Sequence, residues 1–495
     1  MSTTTLSGAR GALPSFRPIA FVIGLLLLGL AGAMLICALV DAGQANPDWR
    51  VFMISAAITG FIGGASVLSA RSRERFQLEL RQAFLLTASS WLAMSVFAAL
   101  PFLFLGQGLD LADAVFEAVS GLTTTGSTII VGLDELPPGI LLWRSLLQWI
   151  GGIGIIAMAI VILPFLRVGG MQLFHTESSD RSDKIAGHPG LLAAYIGTTY
   201  VLLSLACTAA YWYFGMTFFD AVNHAMTTVS TGGYSTHDAS FAYFRSDGLH
   251  WTGVVFMAAG AMPFAMYVRL AQGARPDGLV GSQARLLAIL LLAVSVVMAL
   301  WHSATGKMPF GEALLTTAFN VTSIVTTTGY VSADYTLWGP LAGVVFLVLT
   351  VVGGCTGSTS GAIKIFRFQV LWLLSVNQIN RLIRPHEVTR VTLSGRPVTD
   401  EVGASVLAFL CLFLAAIVAG TVMLSAFGLD LDTSLSAAVT ALANVGPGIG
   451  PIVGPAGNFS PLPDGAKWIL SGAMLLGRLE LFTILVLFTP RFWRW

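Results

Sequence analysis

Four short polar segments of this chain combine residue types that could bind a cation. Each is rich in threonine, serine or glycine and ends an apolar stretch of roughly three helical turns. Glycine allows backbone conformations in which carbonyl oxygens point inward, and threonine and serine add hydroxyl oxygens. A ring of such oxygens can replace the water shell of a monovalent cation, as in potassium-channel filters. The segments read Thr123-Thr124-Thr125-Gly126-Ser127, Val229-Ser230-Thr231-Gly232-Gly233, Thr326-Thr327-Thr328-Gly329-Tyr330 and Ala443-Asn444-Val445-Gly446-Pro447.

The predicted ion ligands are the residues at and just before one glycine in each segment. A single Thr-Thr-Thr-Gly run usually marks only a helix end or a turn. Four copies at matched positions favour a shared function instead, because turn chemistry alone gives no reason for the repetition. We therefore expect ion binding by Thr124, Thr125, Gly126, Ser230, Thr231, Gly232, Thr327, Thr328, Gly329, Asn444, Val445 and Gly446.

Each polar segment closes a stretch that is too short and too polar to span a membrane. These stretches cover 113–126, 220–232, 312–329 and 432–446, and each begins near an acidic residue, which suits the first turn of a helix. We expect four half-helices whose C-terminal ends, each carrying about −0.5 of an elementary charge, face a cavity beneath the ring. Non-helical backbone at membrane depth must be buried or line a water-filled path, so the four loops most simply converge on one axis.

The composition places these segments in a membrane protein. Of 495 residues, 55% are hydrophobic and 10% are charged, against about 25% charged in soluble proteins. The net charge of +1 leaves no strongly positive surface potential of the kind that binds nucleic acid. Ten apolar runs could cross a bilayer, and most of the 26 Lys and Arg residues fall on one side of them, which predicts that both termini are cytoplasmic. The runs are 19–40, 51–70, 84–105, 140–168, 191–214, 251–270, 284–302, 341–363, 402–426 and 468–488.

The order of spans and polar segments predicts an all-α membrane protein with two N-terminal helices followed by four repeats. Each repeat consists of a span, a half-helix with its polar tip (a pore helix) and a second span, and we expect the repeats in a pseudo-fourfold arrangement around one pore. The predicted units are a two-helix preface at 1–82 and repeats at 83–189, 190–281, 282–400 and 401–495.

Two features below the predicted ring could form a gate. A run rich in glycine, serine and threonine interrupts the second span of the third repeat, and we expect it to project into the aqueous path. Arg478 lies inside the last span, where a guanidinium near the pore axis would repel cations. A kink packed between helices, and an arginine paired with Glu480 or with a carbonyl, are the open alternatives. The predicted gate residues are Gly353, Gly354, Gly357, Ser358, Thr359, Gly361, Lys364, Arg478 and Glu480.

These motifs resemble the Trk/Ktr/HKT superfamily of potassium transporters, and most closely its bacterial TrkH branch. The resemblance covers nearly the whole chain and rests on the four tips, the loop at 353–364, the inner stretch 177–184 and the segment 477–483. It implies potassium uptake across the bacterial inner membrane through a selective, gated, channel-like pore, one in each subunit of a homodimer. It also implies that the loop and Arg478 form the gate, and glycine at all four tips favours potassium over sodium.

The resemblance further implies a cytosolic ring of TrkA-like nucleotide-binding regulatory subunits. ATP, ADP or NAD would bind to that ring, and no cofactor is expected in this chain. The fourth tip departs from the Thr-Thr-Gly form, with Asn444 and Val445 before Gly446, an asymmetry that the TrkH branch shares. The basic inner segment 369–399 could dock an acidic partner or anionic membrane lipid, and the sequence favours neither.

The main alternative is an ion-coupled secondary transporter, such as a K+/H+ or K+/Na+ symporter. Such transporters also use repeats and broken helices. Proton coupling usually needs a carboxylate or histidine at mid-membrane, and the predicted spans offer Glu480 beside an arginine and His302 at a span end. An intramembrane hydrolase using Ser358 or Ser360 is discarded because the neighbouring spans contain no histidine to act as a base. We therefore expect no enzymatic activity.

Overall fold

The fold is almost entirely α-helical, which confirms the fold class predicted from the sequence. The one sheet in the described part of the chain is a two-stranded antiparallel hairpin of β1 (Thr392–Leu393) and β2 (Arg396–Pro397). The computed structural model describes residues 16–72, 79–106, 108–158, 189–275, 278–306, 308–387 and 390–494.

The helices follow the predicted order of spans and half-helices. They are α1 (Arg17–Gly43), α2 (Trp49–Ala70), α3 (Leu80–Ala98), α4 (Leu100–Phe104), α5 (Leu111–Leu122), α6 (Pro138–Ala157), α7 (Pro189–Tyr213), α8 (Phe218–Val229), α9 (Asp247–Ala261), α10 (Phe264–Ala271), α11 (Gly278–Ala304), α12 (Phe310–Val325), α13 (Pro340–Val351), α14 (Ile365–Ile383), α15 (Asp400–Ser425), α16 (Leu431–Ala443), α17 (Asp464–Arg478), α18 (Leu481–Leu485) and α19 (Pro490–Trp493).

The first two helices form a closely packed pair that is fastened to the first repeat. A Cβ added at Gly24 of α1 would lie 2.8 Å from the carbonyl oxygen of Gly63 in α2, so small residues let the two backbones approach. At the end of α1, the fully buried Asp41 accepts a hydrogen bond of 2.6 Å from the backbone N–H of Gly139. Because Gly139 lies in the first turn of α6, this carboxylate satisfies a backbone donor that the helix leaves unpaired.

Nine of the ten apolar runs are helical where the structure describes them, and two of these nine are broken by a sharp bend. Within the described ranges, seven helices are long and apolar enough to cross a membrane, and two further helix pairs are sharply bent. The pair at 251–270 bends by 93° and the pair at 468–488 by 109°, so the prediction of one unbroken helix is wrong for both. Pro263 follows the first break and cannot continue a helix, while Glu480 at the second break has a left-handed backbone with φ of 60°.

The remaining predicted runs differ mainly in their ends. The run at 341–363 begins as the short helix α13, which ends at Val351, and the chain resumes as α14 only at Ile365, so the predicted interruption is present. The end of the run at 140–168 and the inner stretch 177–184 lie outside the described residues. The boundaries of the five sequence units stay predictions.

The four half-helices are α5, α8, α12 and α16, and each carries an acidic residue in its first turn as predicted. Three of them also begin with a side-chain cap, in which Asp110, Thr217 or Asp430 accepts a hydrogen bond from a backbone N–H of the first turn. These caps and carboxylates fix where each half-helix starts, and therefore where its C-terminal end lies.

A glycine of the following span contacts the C-terminal end of the half-helix in three repeats. A Cβ at Gly260 would lie 2.8 Å from the carbonyl oxygen of Val229, and a Cβ at Gly151 or Gly477 would collide with the carbonyl oxygen of Leu122 or Leu442. Only glycine permits this approach, so the spans hold the half-helix ends at a fixed depth. In the third repeat, Ser360 of the loop between α13 and α14 contacts the end of the half-helix instead.

Candidate ion-binding site and gate

The four polar tips share one backbone conformation. In each tip a residue other than glycine adopts a positive φ, and a glycine two positions later also has a positive φ. Backbone hydrogen bonds repeat as well, because the residue between these two donates to the carbonyl five residues earlier at 2.8–3.1 Å. Non-glycine residues at positive φ cost energy, so the surrounding structure must impose the conformation. The pairs are Thr124 and Gly126, Thr231 and Gly233, Thr327 and Gly329, and Asn444 and Gly446.

This pattern corrects the register of the second tip by one residue. The predicted match of Gly232 to Gly126 is wrong, because Gly232 lacks the positive φ and takes the hydrogen-bond position of Thr125. The residue equivalent to Gly126 is Gly233. The sequence offered two adjacent glycines without a means of choosing between them. In the corrected register, Ser230 falls one position before the first ligand position of the other three tips.

The tips meet in a closed ring. A Cβ added at Gly126 would collide with the carbonyl oxygen of Gly232 in the second tip, and a Cβ at Gly233 would collide with that of Thr328 in the third. A Cβ at Gly329 would likewise collide with the carbonyl oxygen of Val445 in the fourth tip. The circuit closes between the fourth tip and the first, because a Cβ at Gly446 would lie 2.8 Å from the carbonyl oxygen of Thr125. The four glycines therefore let neighbouring tips touch backbone to backbone.

Side chains support the ring from outside. Ser120 and Ser323, one turn before their tips, donate to the carbonyl oxygens of Ser127 and Tyr330 at 2.6 and 2.7 Å. The side-chain amide of Asn444 donates at 2.9 Å to the hydroxyl of Thr125 in the neighbouring tip. Buried polar groups with satisfied hydrogen bonds hold one geometry, so these bonds stabilise the backbone next to the ring.

A buried ion pair braces the first and second tips. Arg144 and Glu117 are 1% and 0% exposed and are joined by a bond of 2.8 Å. Arg144 also donates to the carbonyl oxygen of Ser235 at 2.9 Å and lies 4.1 Å over the ring of Tyr234. The sequence analysis missed this role for both residues. The available signal was Glu117 in a stretch predicted to enter the membrane, where a charged residue implies a partner.

A vestibule of about 90 Å3 lies over the ring and is lined by all four positive-φ glycines. Near its wall, His237 stacks on Tyr243 with ring centroids 3.5 Å apart and pairs with the carboxylate of Asp134. Burial lowers the pKa of His237, but the carboxylates of Asp220 and Asp134 raise it by more, so its pKa is above the ordinary value. The sequence analysis did not single out this histidine.

On the opposite side of the ring, the loop between α13 and α14 fills the space beneath the tips. Its residues bind the C-terminal ends of three half-helices. The hydroxyl of Thr359 lies between the carbonyl oxygens of Val229 and Gly260, at 3.2 and 2.9 Å. The hydroxyl of Ser360 donates to the carbonyl oxygen of Thr326 at 2.7 Å. The backbone N–H of Ala362 donates to that of Ala443 at 2.8 Å.

The loop also touches the tips themselves. The hydroxyls of Thr231 and Thr359 are 3.1 Å apart, and the backbone N–H of Gly361 donates to the hydroxyl of Thr327 at 2.7 Å. The loop backbone is braced by neighbouring helices, since Cys355 donates to the carbonyl oxygen of Ala261 at 3.0 Å. Of the predicted gate residues, Gly353, Gly354, Gly357, Ser358, Thr359 and Gly361 lie in this loop, and Lys364 immediately precedes α14.

Arg478 joins the last span to this loop. It is 2% exposed, and its guanidinium donates to the carbonyl oxygen of Thr359 at 2.9 Å. Glu480 pairs with Arg367 of α14, so the alternative in which Glu480 holds Arg478 is not what the structure contains. The alternative of a carbonyl partner is present, and that carbonyl belongs to the loop itself. Lys364 donates to the carbonyl oxygen of Ser360.

A small cavity separates these groups. It is lined by residues of the loop, by Lys364 and Arg478, and by Gly477 of the last span, and its volume is about 20 Å3. Such a space holds about one water molecule, which is too little for a hydrated alkali ion. The structure therefore places a closely packed loop beneath the ring of tips, with space beside Arg478 and Lys364 for about one water molecule.

Comparisons with known proteins agree with this architecture. Residues 49–494 match the family model of TrkH, described as a cation transport protein. The chain belongs to the TrkH family. It is 47% identical to the Trk system potassium uptake protein TrkI of Halomonas elongata over 482 residues, which is 97% of either chain. It is 35% identical to the Trk system potassium uptake protein TrkH of Escherichia coli K12, covering 97% of this chain and 99% of that one.

A solved structure of the TrkH family has the same fold. The crystal structure of the potassium transporter TrkH from Vibrio parahaemolyticus superposes with a TM-score of 0.88 at 34% sequence identity. The match covers 97% of this chain and all of the other. Family membership and the apolar spans together establish a membrane transport protein of this family.

Proposed function

We propose that this chain takes up potassium across the bacterial inner membrane through one selective, gated pore at the centre of its four repeats, with both termini in the cytoplasm. The observation that carries the proposal is the closed ring of four equivalent tips. The related TrkH and TrkI proteins are named for potassium uptake, which supports potassium as the ion.

In this proposal the ring is the selectivity filter. Its ligands are the carbonyl oxygens of the tips, with the register of the second tip shifted to Thr231, Gly232 and Gly233. A dehydrated potassium ion exchanges its water shell for these oxygens, and the four half-helix ends add negative potential beneath them. No carboxylate is needed at the ring, so the ion is attracted without being held too tightly to leave.

The loop and Arg478 act as the gate in this proposal. The loop hydroxyls and N–H groups form hydrogen bonds with half-helix carbonyl oxygens that would otherwise face a cation in the cavity. The guanidinium of Arg478 adds a fixed positive charge. Opening requires the loop to release these hydrogen bonds together. Arg478 stabilises the closed position because its bond to the Thr359 carbonyl is charge-assisted.

The partners are part of the same proposal. A homodimer with one pore in each subunit, and a cytosolic ring of TrkA-like subunits that binds ATP, ADP or NAD, follow from the family resemblance. The basic residues of the inner segment 369–399 are the candidate contacts for this ring or for anionic lipid.

Flux into proteoliposomes tests the function directly. The full chain is reconstituted, and uptake is compared under gradients of potassium, sodium and choline while internal pH is recorded. We expect potassium uptake down its gradient with no movement of protons and no requirement for sodium. Uptake that requires a proton or sodium gradient would replace the channel-like pore with symport, and uptake of choline equal to potassium would refute the filter.

A further inference from the structure

Gln148 of α6 is the one side chain in the described part of the chain that grips a tip on both sides of its positive-φ glycine. It is fully buried, at 0% exposed. Its amide nitrogen donates to the carbonyl oxygen of Gly232 at 2.6 Å, and its amide oxygen accepts from the backbone N–H of Tyr234 at 3.0 Å. The carbonyl can only accept and the N–H can only donate, so the orientation of the amide is determined by its partners.

The second tip lacks the internal hydrogen bond that a serine supplies in the first and third tips. In the first and third tips, Ser120 and Ser323 donate to the carbonyl seven residues later. The corresponding residue of the second tip is Thr227, whose hydroxyl instead contacts the carbonyl oxygen of Asn223 at 3.1 Å within the half-helix and the hydroxyl of Tyr330 in the third tip. Gln148 clamps this tip from outside through two other backbone atoms, the carbonyl oxygen of Gly232 and the N–H of Tyr234.

The clamp also explains why the second tip has two adjacent glycines. Gly233 has the positive φ of the ring glycines, but Gly232 does not, and its backbone alone does not require glycine. A Cβ at Gly232 would collide with the side-chain amide of Gln148. Gly232 is therefore a glycine because the amide occupies the space that a side chain would fill.

The clamp is specific to one repeat. The glycines that contact the half-helix ends, Gly151, Gly260 and Gly477, mark equivalent positions in three repeats. The residue one turn earlier is Gln148 in the first of these, but Met257 and Met474 in the other two, and all three side chains are fully buried. A methionine fills a similar volume but cannot replace both hydrogen bonds.

We propose that Gln148 is a positioning residue for ion selectivity, which fixes the carbonyl of Gly232 in the ring by holding both ends of the Gly232–Tyr234 segment. The inference rests on the proposed filter function. Thr125, Thr328 and Val445 supply the three equivalent carbonyls. If the carbonyl of Gly232 becomes mobile, one of the four equivalent oxygens of the ring loses its fixed position. A ring with one mobile oxygen adapts to a smaller ion, and discrimination between potassium and sodium falls.

The test is the permeability ratio of potassium over sodium in proteoliposomes holding the full chain. Gln148→Met copies the residue of the other two repeats, and we expect it to lower the ratio at least about fivefold, because two buried hydrogen bonds are lost. Should this variant fail to insert, Gln148→Asn carries the same expectation, since the shorter amide cannot reach both backbone groups. A ratio equal to that of the parent, in a variant that carries potassium, overturns the proposal.

Two further variants separate a positioning role from a general loss of packing. Gln283→Met removes another buried glutamine, whose amide oxygen accepts from Thr356 of the loop at 2.9 Å. It should alter basal flux and leave the ratio unchanged. Gly232→Ala should lower the ratio because its methyl displaces Gln148, and adding it to Gln148→Met should lower the ratio no further. An effect of Gln283→Met on the ratio, or additive effects in the double variant, would contradict the proposal.

The failure of this inference is distinguishable from failure of the proposed function. A parent protein without potassium-selective flux refutes the filter itself. A selective parent whose selectivity is indifferent to Gln148 refutes only the positioning role.

Discussion

The ring of tips and the loop beneath it are built on opposite principles. Each tip comes from a different repeat, and all four share the same backbone conformation and the same neighbour contacts. The loop comes from the third repeat, whereas the second spans of the second and fourth repeats have only a short break near Pro263 and Glu480. In the proposed function, binding an ion depends on symmetry and is shared by four equivalent tips. The proposed gate closes one path and needs a single copy.

The contacts of the two regions differ in the same way. The tips meet through backbone atoms at glycines, where no side chain fits. The loop is held largely by hydroxyls, backbone N–H groups and one guanidinium, each of which can exchange its partner. Backbone contacts at fixed φ resist change, while individual hydrogen bonds of modest strength can be released. The ring is therefore expected to keep its geometry while the loop moves.

The largest effect is expected from breaking the ring at Gly329. Gly329→Ser adds a side chain at φ of 82° that would collide with the carbonyl oxygen of Val445, so two tips must separate. We expect the potassium-over-sodium permeability ratio to fall at least about tenfold, which corresponds to about 1.4 kcal/mol. Gly343→Ser is the matched control, since nothing lies within 4 Å of a Cβ there. An unaltered ratio in Gly329→Ser would disprove the filter assignment.

A smaller and different effect is expected from releasing the loop. Arg478→Ala removes a buried, charge-assisted hydrogen bond to the carbonyl oxygen of Thr359. Basal potassium flux should rise about threefold to tenfold while the ratio over sodium stays that of the parent. Arg384→Ala is the control. It removes an exposed arginine just after the C-terminal end of α14 and should change neither the basal flux nor the ratio. Flux that stays level or falls in correctly inserted Arg478→Ala protein would count against the gate.

The smallest effect concerns the outer wall of the vestibule. The folded pKa of His237 is raised, so its pairing contributes stability that is fully present below the ordinary pKa of about 6.5 and is lost as pH rises through the folded value. His237→Gln should therefore lower the melting temperature in detergent by no more than about 2 °C at pH 6, and by less at pH 9.

The exposed His386, replaced by glutamine, is the control for this measurement and should leave the melting temperature at that of the parent. A difference between His237→Gln and the parent that grows with rising pH would have the wrong sign for the pairing with Asp134 and Asp220. Selectivity should be unchanged in either variant, because neither histidine belongs to the ring.

Much of the architecture could be predicted because it depends on local composition. Apolar runs near 20 residues predict helices in a bilayer, and an acidic first turn predicts where a half-helix begins. The break after Val351 was predicted from its glycines and hydroxyls. The bend near Glu480 was not, because glutamate gives no local signal for a left-handed backbone, and the one near Pro263 was overlooked although proline was a signal.

The sequence by itself determined that this is a helical membrane protein with four matched polar tips, because hydropathy and repetition are properties of the chain. The tertiary structure alone decided which glycine of the second tip enters the ring. Gly232 and Gly233 are the same residue type, and only their backbone conformations and spatial contacts distinguish them. It also decided that Gln148 grips one tip and that Arg478 reaches the loop carbonyl. These contacts join residues more than 80 positions apart, and only packing can bring such partners together.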